Sequence, residues 1–367
     1  MTAQDGSGMA DAAARLRLIR TQGIGPITYR QLIARFGHAH AALEALPMLA
    51  QRGGGRVPPI ADASAIAREM AATDRLGARY LFLDGADYPS LLAEIENAPP
   101  AMIVRGNVAL AQAPCVAIVG ARNASAAACR FARELAHALA DAGTTVVSGL
   151  ARGVDTAAHV GALGSGATVG VIASGIDIAF PPENRALQER VAVEGLLIAE
   201  QPPGTEPRAR HFPYRNRIIA GLCAGTVVIE AAPKSGSLIT ARLAGEAGRE
   251  VMAVPGSPLD PRAQGCNLLI REGATLVQNA ADVLEQIRPI DARAVRSPGS
   301  SYAGPPPEDA SDRDRGVVVT LLGPVPVSVD EMIRQSALAP AVVHTVLLEL
   351  ELGGRLERHA GGRVSLV

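Results

Sequence analysis

Short apolar runs alternate with longer stretches of helical periodicity between about residue 115 and about residue 287. Each apolar run is continuous over three to five residues, which is typical of a strand buried on both faces. Buried strands separated by helices predict a parallel sheet with helices on both sides, an α/β, Rossmann-like fold. The predicted strands are residues 116–119, 145–147, 169–173, 196–199, 227–229 and 251–254.

The pattern that precedes this region is helical. Over residues 14–78 apolar positions recur at helical spacing with breaks at Gly and Pro, which predicts a small all-helical domain of the sterile-alpha-motif or helix-hairpin-helix type. A Gly-Ile-Gly-Pro turn at residues 23–26 can present backbone N–H groups to a nucleic-acid phosphate. A plain corner between two helices explains the turn equally well. Residues 1–13 lack periodicity and are predicted to be a flexible leader.

The remaining boundaries follow from composition. Residues 79–108 are predicted to connect the helical domain to the sheet through short strands, which gives an extended Rossmann-like domain over 79–287. Residues 288–315, rich in Pro, Ser and charge, predict a linker. Residues 316–367 give three helices and two strands, the outline of a winged helix. Its third helix, the one expected to read a DNA groove, carries no Lys or Arg before Arg355, so packing or docking on protein is favoured.

Composition narrows the class of protein. A chain of 367 residues that is 48% hydrophobic is expected to form two or three domains. The formal net charge of -1 requires any nucleic-acid site to be a local basic patch. Four widely spaced cysteines disfavour a zinc ribbon and a disulfide framework. No apolar run reaches the roughly 18 residues of a membrane span, and the first twenty residues do not resemble a signal peptide, so a cytoplasmic location is expected.

Lys234 is the only lysine in a chain that otherwise carries its positive charge on arginine. It begins a Lys-Ser-Gly-Ser sequence where an apolar strand gives way to a helix. A compact ammonium beside hydroxyls and a glycine at a helix start is how proteins build a phosphate cradle. The candidate phosphate-binding residues are therefore Lys234, Ser235, Gly236 and Ser237. Chance explains the same residues, because an arginine-biased composition can leave one stray lysine beside an ordinary turn.

Residues 207–221 form a basic run that contains two of the chain's ten Phe and Tyr residues and lies within a span free of acidic side chains. Arginine neutralises phosphates, and an interleaved ring can stack on a base for about 1–3 kcal/mol, so the run suits a single strand with exposed bases. The alternative is a domain interface with Phe212 as core filler. The candidates are Arg208, Arg210, Arg215 and Arg217 for phosphates, and Phe212 and Tyr214 for base stacking.

The first strand of the sheet ends in Gly120, Ala121 and Arg122, at the turn where a Rossmann-like sheet can hold an anion. The Gly-x-Gly-x-x-Gly fingerprint is missing, and Arg122 would project into the place of a pyrophosphate, which disfavours an NAD-type cofactor. The loop at Lys234 lacks the upstream glycine of a Walker A motif, so ATP hydrolysis is not supported. We expect no cofactor.

Asp155 and His159 lie four residues apart after the second strand. This spacing can indicate an acid/base or metal pair, but no third ligand is evident, so a buried hydrogen-bonded pair that fixes the loop is favoured. No nucleophile elbow and no cluster of metal ligands occurs in the sequence, and we assign neither a catalytic residue nor a metal site.

Six ordered motifs resemble the DNA-processing protein A (DprA, or Smf) family: VAIVGAR at 116–122, SGLARGVDTAAH at 148–159, ASGIDIAFPPEN at 173–184, HFPYRNRIIAGL at 211–222, EAAPKSGSLITA at 230–241 and VMAVPG at 251–256. The resemblance implies a non-enzymatic recombination mediator that binds and protects incoming single-stranded DNA during natural transformation. It further implies help in loading the RecA recombinase and a homodimer formed through the Rossmann-like domain.

By motif, the resemblance implies that Arg122 and Lys234 hold DNA phosphates. It also assigns Arg152, Arg215, Asn216 and Arg217 to motif positions on the same sheet edge.

An enzyme is the alternative. A nucleotide or nucleoside-monophosphate hydrolase also places glycine-rich loops at strand ends, and it would need a catalytic carboxylate in the pocket. The candidates for that carboxylate are Asp155, Glu183 and Glu230.

Overall fold

The structure is a computed structural model that describes residues 3–287, 309–359 and 361–367. The chain forms two compact units, one of residues 69–295 and one that combines residues 1–68 with residues 296–367. The fold class predicted from the sequence is confirmed: a mostly parallel sheet, a helical N-terminal domain and a C-terminal winged helix.

The described helices are α1 (Ala3–Arg20), α2 (Pro26–Phe36), α3 (Ala39–Arg52), α4 (Ala63–Arg75), α5 (Ser90–Glu94), α6 (Ala126–Asp141), α7 (Val154–Leu163), α8 (Arg185–Glu194), α9 (His211–Leu222), α10 (Gly236–Glu246), α11 (Gln264–Arg271), α12 (Ala280–Ile287), α13 (Asp312–Thr320), α14 (Val329–Ser336) and α15 (Pro340–Leu352). The strands are β1 (Arg79–Phe82), β2 (Ala101–Gly106), β3 (Cys115–Gly120), β4 (Thr145–Ser148), β5 (Thr168–Gly175), β6 (Leu196–Gln201), β7 (Gly225–Ile229), β8 (Glu250–Ala253), β9 (Thr275–Leu276), β10 (Val327–Ser328), β11 (Leu356–His359) and β12 (Arg363–Leu366). None of these helices is long and apolar enough to span a bilayer.

The central sheet has the strand order β1-β2-β6-β5-β4-β3-β7-β8-β9. Strands β3 to β9 pair in parallel, and β1 and β2 add an antiparallel edge. All six predicted strands are present as β3 to β8, with ends that differ by at most two residues. The segment 79–108, predicted to be a connection, supplies β1 and β2 and so belongs to the sheet itself.

Both faces of the sheet are buried, which is why its strands read as continuous apolar runs. Successive residues of a strand point to opposite faces. In β3, Val116 and Ile118 therefore pack in a cluster with α6 and α7, whereas Ala117 and Val119 pack in a second cluster with α5 and α9.

The chain reverses its direction of winding between β3 and β7. From β3 it passes to β4 and β5 on one side, while β7 and β8 lie on the other side. The two strands pair in register from Val116 opposite Gly225 to Gly120 opposite Ile229, so both carboxyl ends reach the same edge. Open α/β sheets bind ligands in the crevice at such a reversal.

The predicted leader is wrong for most of its length, because α1 already begins at Ala3. Its alanines favour helix, and the Asp11 carboxylate accepts a hydrogen bond from Arg15 Nε at 2.6 Å one turn later. The turn at residues 23–26 joins α1 to α2. Gly23 has a φ of 82°, a conformation that favours glycine, and Pro26 begins α2.

The winged helix consists of α13, α14 and α15 with a small sheet of order β10-β12-β11. Helix α13 begins at Asp312, four residues before the predicted start, because Ser311 and Asp314 form a capping box there. Of the predicted linker 288–315, residues 288–308 lie outside the described residues, and the part from Asp312 onward belongs to α13.

Helix α15, the expected DNA reader of the winged helix, is buried in its own unit. Leu348 and Leu352 pack with Leu46 and Leu49 of α3. The carboxylate of Glu349, only 1% exposed, accepts two hydrogen bonds from Arg315 at 2.8 and 2.9 Å. This position supports a packing role for α15.

Candidate nucleic-acid interface

A cavity of about 530 Å³ lies at the carboxyl ends of β3 and β7, where the winding reverses. Loops after β3, β4 and β7 and one face of α9 form its walls. Its polar lining consists of Arg122, Asn123, Asp155, Arg215, Asn216, Lys234, Ser235, Ser237, Thr240 and Arg262. Its charge is mainly positive.

Arg122 and Lys234, 112 residues apart in sequence (234 minus 122), line this one cavity from two different loops. Both side chains are exposed, and neither forms an ion pair with a carboxylate among the described residues. The guanidinium carbon of Arg122 lies 5.4 Å from the centre of the Phe212 ring, a cation–π distance. Both charges therefore face the cavity without a neutralising partner in the described chain.

The loop that carries Arg122 is fixed at both ends. A side chain at Gly120 would place its Cβ 1.9 Å from the carbonyl oxygen of Ile229, so only glycine fits. Ser125 caps α6 and donates to the Glu230 carboxylate through its N–H at 2.8 Å and its hydroxyl at 2.6 Å. The Glu230 carboxylate thus ties the end of β7 to the start of α6.

The N-terminus of α10 forms another part of the cavity wall. Ser235 is the N-cap, and its Oγ lies 2.7 Å from Ser237 Oγ. A Cβ at Gly236 would meet open space, so the backbone there is accessible from the cavity. The first turn of a helix carries partial positive charge, which adds to the ammonium of Lys234 next to it. This wall suits a phosphate.

Arg215 lies on the cavity floor, but its guanidinium is occupied. The residue is 7% exposed, and its Nη1 donates to the carbonyl oxygens of Gly149, at 2.9 Å, and of Val171. Burial lowers the pKa of Arg215 to about 10, although Asp155 opposes the change. Arg215 also donates to Asn216 Oδ1 at 3.2 Å. Its guanidinium thus links the residue after β4 to the middle of β5 beneath the cavity.

Five predicted residues do not line the cavity. Arg217 is 3% exposed, bonds to Glu200 and lies 4.1 Å from the ring centre of Tyr214. Arg152 is exposed but forms an ion pair with Glu183. Arg208 and Arg210 are exposed. The structure thus brings together Phe212, Arg122, Lys234, Ser235, Gly236, Ser237, Arg215 and Asn216, and it leaves Arg152, Arg208, Arg210, Tyr214 and Arg217 outside. A DNA role for those five stays a prediction.

Asp155 and His159 are buried as predicted but do not bond as a pair. The Asp155 carboxylate accepts from the N–H groups of Gly149 at 3.1 Å and Ala151 at 3.3 Å, which fixes the loop after β4. His159 Nδ1 lies 2.8 Å from Thr168 Oγ1. Burial raises the pKa of Asp155 and lowers that of His159 to about 3. No group of three metal-ligating side chains occurs in the described ranges.

The low pKa of His159 predicts that acid destabilises the fold. Unfolded imidazole gains a proton below about pH 6.5, whereas folded His159 stays neutral to about pH 3. The unfolded state binds more protons between these values, so stability present above pH 6.5 is lost as the pH falls. Urea unfolding should show a loss of about 1 kcal/mol from this group between pH 6.5 and 5.5. His159→Asn should lack that component, and an unchanged pH dependence would contradict the assignment.

The three candidate catalytic carboxylates are all engaged in structural contacts. Asp155 accepts from the loop after β4, Glu230 accepts from Ser125, and Glu183 pairs with Arg152. The hydrogen bond from Arg152 holds the pKa of Glu183 below its usual value. Asp155 lines the cavity and burial raises its pKa, but its carboxylate is occupied by the N–H groups of Gly149 and Ala151, and neither Glu183 nor Glu230 is part of the cavity lining.

Sequence reasoning missed two residues of the cavity lining, Asn123 and Arg262. Asn123 and Arg262 line the cavity, where the Arg262 guanidinium pairs with Asp260 at 2.9 Å. Arg262 carries no local signal, since only folding brings its loop to the site.

Comparisons with known proteins identify the family. A sequence profile of the DNA recombination-mediator protein A matches residues 79–288. Profiles of a DprA-like N-terminal HHH domain and of a DprA winged helix domain match residues 9–72 and 303–362.

Relatives cover most of the chain. Protein Smf of Synechocystis sp. is 35% identical over 316 residues, 78% of this chain and 79% of that protein. DNA processing protein DprA of Streptococcus pneumoniae is 46% identical over 200 residues, 54% of this chain and 71% of that protein.

Solved structures of two DprA proteins match this chain as well. The X-ray structure of DprA from Streptococcus pneumoniae matches with a TM-score of 0.58 and 38% identity, over 68% of this chain and 82% of that one. Helicobacter pylori DprA, described in terms of its single-stranded DNA binding mode, matches with a TM-score of 0.52 and 28% identity, over 57% of this chain and 95% of that one. This chain belongs to the DNA recombination-mediator protein A (DprA/Smf) family.

Proposed function

We propose that this protein binds single-stranded DNA in the cavity at the ends of β3 and β7, and that it protects incoming DNA and helps load RecA recombinase during natural transformation. The observation that carries the DNA-binding part is the joint position of Arg122 and Lys234, two cations without carboxylate partners in the described chain, in one cavity. The single-stranded DNA binding of the Helicobacter pylori relative supports the same ligand.

The chemistry of the cavity fits a phosphate backbone. Arg122, and Lys234 beside the α10 N-terminus, provide positive charge to one cavity from two loops. Phosphate contacts position a strand but carry no sequence information. The protein should therefore bind many sequences with similar affinity.

The proposed activity is binding without catalysis, since Asp155, Glu183 and Glu230 are all committed to loop contacts. A cytoplasmic location, a homodimer formed through the sheet unit and contact with RecA complete the proposal on the strength of family membership. Filament formation by RecA on the coated strand, with and without this protein, tests the loading step.

Titration of labelled oligonucleotides tests the DNA-binding step. Single strands should bind more tightly than duplexes of equal length, because the bases must be free to leave the stack. The logarithm of the affinity should fall with the logarithm of salt concentration by about 0.7 for each phosphate held. An affinity that does not depend on salt concentration, or a clear preference for duplex, would contradict the proposal.

A further inference from the structure

A pocket of about 220 Å³, here called the seam pocket, lies in the unit that combines the helical domain with the winged helix. Residues from the end of α3, from α13, from α15 and from the turn after α15 line it. Its charged lining consists of Arg52, Arg315, Arg355 and Glu349. The volume is below the roughly 300–1,000 Å³ of a site for a drug-sized ligand, so the seam pocket suits a small ion or one group of a larger molecule.

Three consecutive glycines after α3 bring the two parts of this unit into backbone contact. A Cβ at Gly53 would lie 1.9 Å from the carbonyl oxygen of Glu349, and one at Gly55 would lie 1.7 Å from that of Gly353. No side chain fits at either position unless α15 or the turn after it moves. The turn after α15 is therefore held against the end of α3, so that both contribute arginines to one pocket.

The carboxylate in the lining is already neutralised. Glu349 is 1% exposed and accepts hydrogen bonds from Nε and Nη2 of Arg315. The remaining nitrogen of Arg315, Nη1, donates to Asp312 at 3.1 Å. All three nitrogens of Arg315 thus have acceptors, and Arg315 and Glu349 balance each other's charge.

Arg52 and Arg355 carry the positive charge that is left. Arg355 Nη1 donates to the carbonyl oxygen of Gly53 at 3.3 Å, and no carboxylate pairs with Arg355 in the part of the chain that the structure describes. Arg52 Nη1 lies 3.3 Å from Asp309 Oδ1, but Arg35 binds the same oxygen. Two guanidinium groups therefore share one carboxylate, and that of Arg355 has none.

We propose that the seam pocket binds a phosphate group, of inorganic phosphate or of a nucleic acid, through Arg52 and Arg355. These arginines lie 303 residues apart in sequence (355 minus 52), and planar guanidinium groups match phosphate oxygens in charge and geometry. A phosphate bound by both joins the end of α3 to the turn after α15. Because it binds only while these parts are docked, it stabilises the docked unit.

The seam pocket shares no residue with the cavity at the ends of β3 and β7, so the two sites can be tested separately. The reference protein is the full chain with Arg122→Ala and Lys234→Ala, which lacks the proposed DNA site. Isothermal titration calorimetry with inorganic phosphate, at constant ionic strength, should show saturable binding at one site. Adding Arg355→Ala should weaken this binding by about 10-fold to 150-fold, the usual effect of one charge-assisted hydrogen bond.

A matched control is Arg334→Ala, which removes an exposed arginine of the winged helix outside the seam pocket. It should leave the phosphate affinity unchanged. Phosphate should raise the thermal midpoint of the reference protein but not that of the Arg355→Ala variant. Without phosphate the two midpoints should agree closely, because Arg355 is exposed and has no ion pair in the described part of the unit.

Competition with a single-stranded oligonucleotide identifies the source of the phosphate. If the oligonucleotide displaces inorganic phosphate from the reference protein, and Arg355→Ala abolishes this displacement, the seam pocket is a second nucleic-acid contact. If it does not displace phosphate, the ligand is the free anion. Absence of saturable phosphate binding, or an equal loss in Arg355→Ala and Arg334→Ala, would overturn the proposal and leave the proposed DNA site unaffected.

Discussion

Replacing both Arg122 and Lys234 by alanine should lower the affinity for a single-stranded oligonucleotide by at least about 100-fold, because two charge-assisted contacts worth about 1.5–3 kcal/mol each are lost. The plot of log affinity against log salt should become shallower by about 0.7 for each lost phosphate contact. Fluorescence anisotropy at several salt concentrations measures both quantities. Thermal stability should change little, since both side chains are exposed.

A matched control is Arg190→Ala, which removes one exposed cation from the same unit, on α8 and away from the cavity. It should retain nearly the wild-type affinity. Equal losses in Arg190→Ala and in either single cavity variant would show that general charge, and not this cavity, binds the strand. Wild-type affinity in the double variant would contradict the proposal that this cavity binds the strand.

Arg215→Ala should destabilise the protein by about 3–5 kcal/mol, the usual result of removing one partner from a buried set of charges. The variant leaves the carbonyl oxygens of Gly149 and Val171 without their donor and Asp155 without a nearby positive charge. Urea unfolding at neutral pH measures the loss as a lower midpoint. DNA affinity would then fall only because a fraction of the protein is unfolded or distorted.

Arg190→Ala again serves as the control and should cost less than about 0.5 kcal/mol, because its ion pair with Glu194 is exposed. Gly149→Ala should resemble Arg215→Ala, since its new Cβ would lie 2.6 Å from the Arg215 guanidinium. A normal unfolding midpoint for Arg215→Ala, together with a large loss of DNA affinity, would instead make Arg215 a phosphate ligand.

The sheet could be predicted from the sequence because its strands are buried on both faces. That burial makes residues such as Val116 to Val119 uniformly apolar, a local signal that does not depend on knowing the partners. The loops at Arg122 and Lys234 were also visible, since a glycine turn after a strand is local. Their meeting in one cavity follows from the parallel pairing of β3 with β7.

The sequence could not predict which arginines are buried and which are exposed. Arg215 and Arg217 belong to the same basic run as the exposed Arg208 and Arg210, yet both are buried. Their partners lie far away in sequence: Gly149 is 66 residues from Arg215, and Glu200 is 17 residues from Arg217. A run of like charges looks the same whether its members face solvent or the interior, because long-range contacts decide between the two.

The packing partners of α15 could not be predicted from the sequence either. The absence of basic residues argued against DNA reading, but only the fold shows Leu348 and Leu352 against α3, about 300 residues earlier in the chain. The same holds for Glu349, whose burial depends on Arg315 from a neighbouring helix.

The unique lysine allows the central claim to be tested at one atom. Because Lys234 is the only lysine, an amine-acylating reagent modifies a single side chain of this protein. Mass spectrometry then measures the acylation rate of Lys234 with and without a saturating single-stranded oligonucleotide, against an unstructured lysine peptide in the same solution. We predict strong protection of Lys234 by the oligonucleotide and none of the peptide. An unchanged acylation rate of Lys234 in the bound protein would contradict the account.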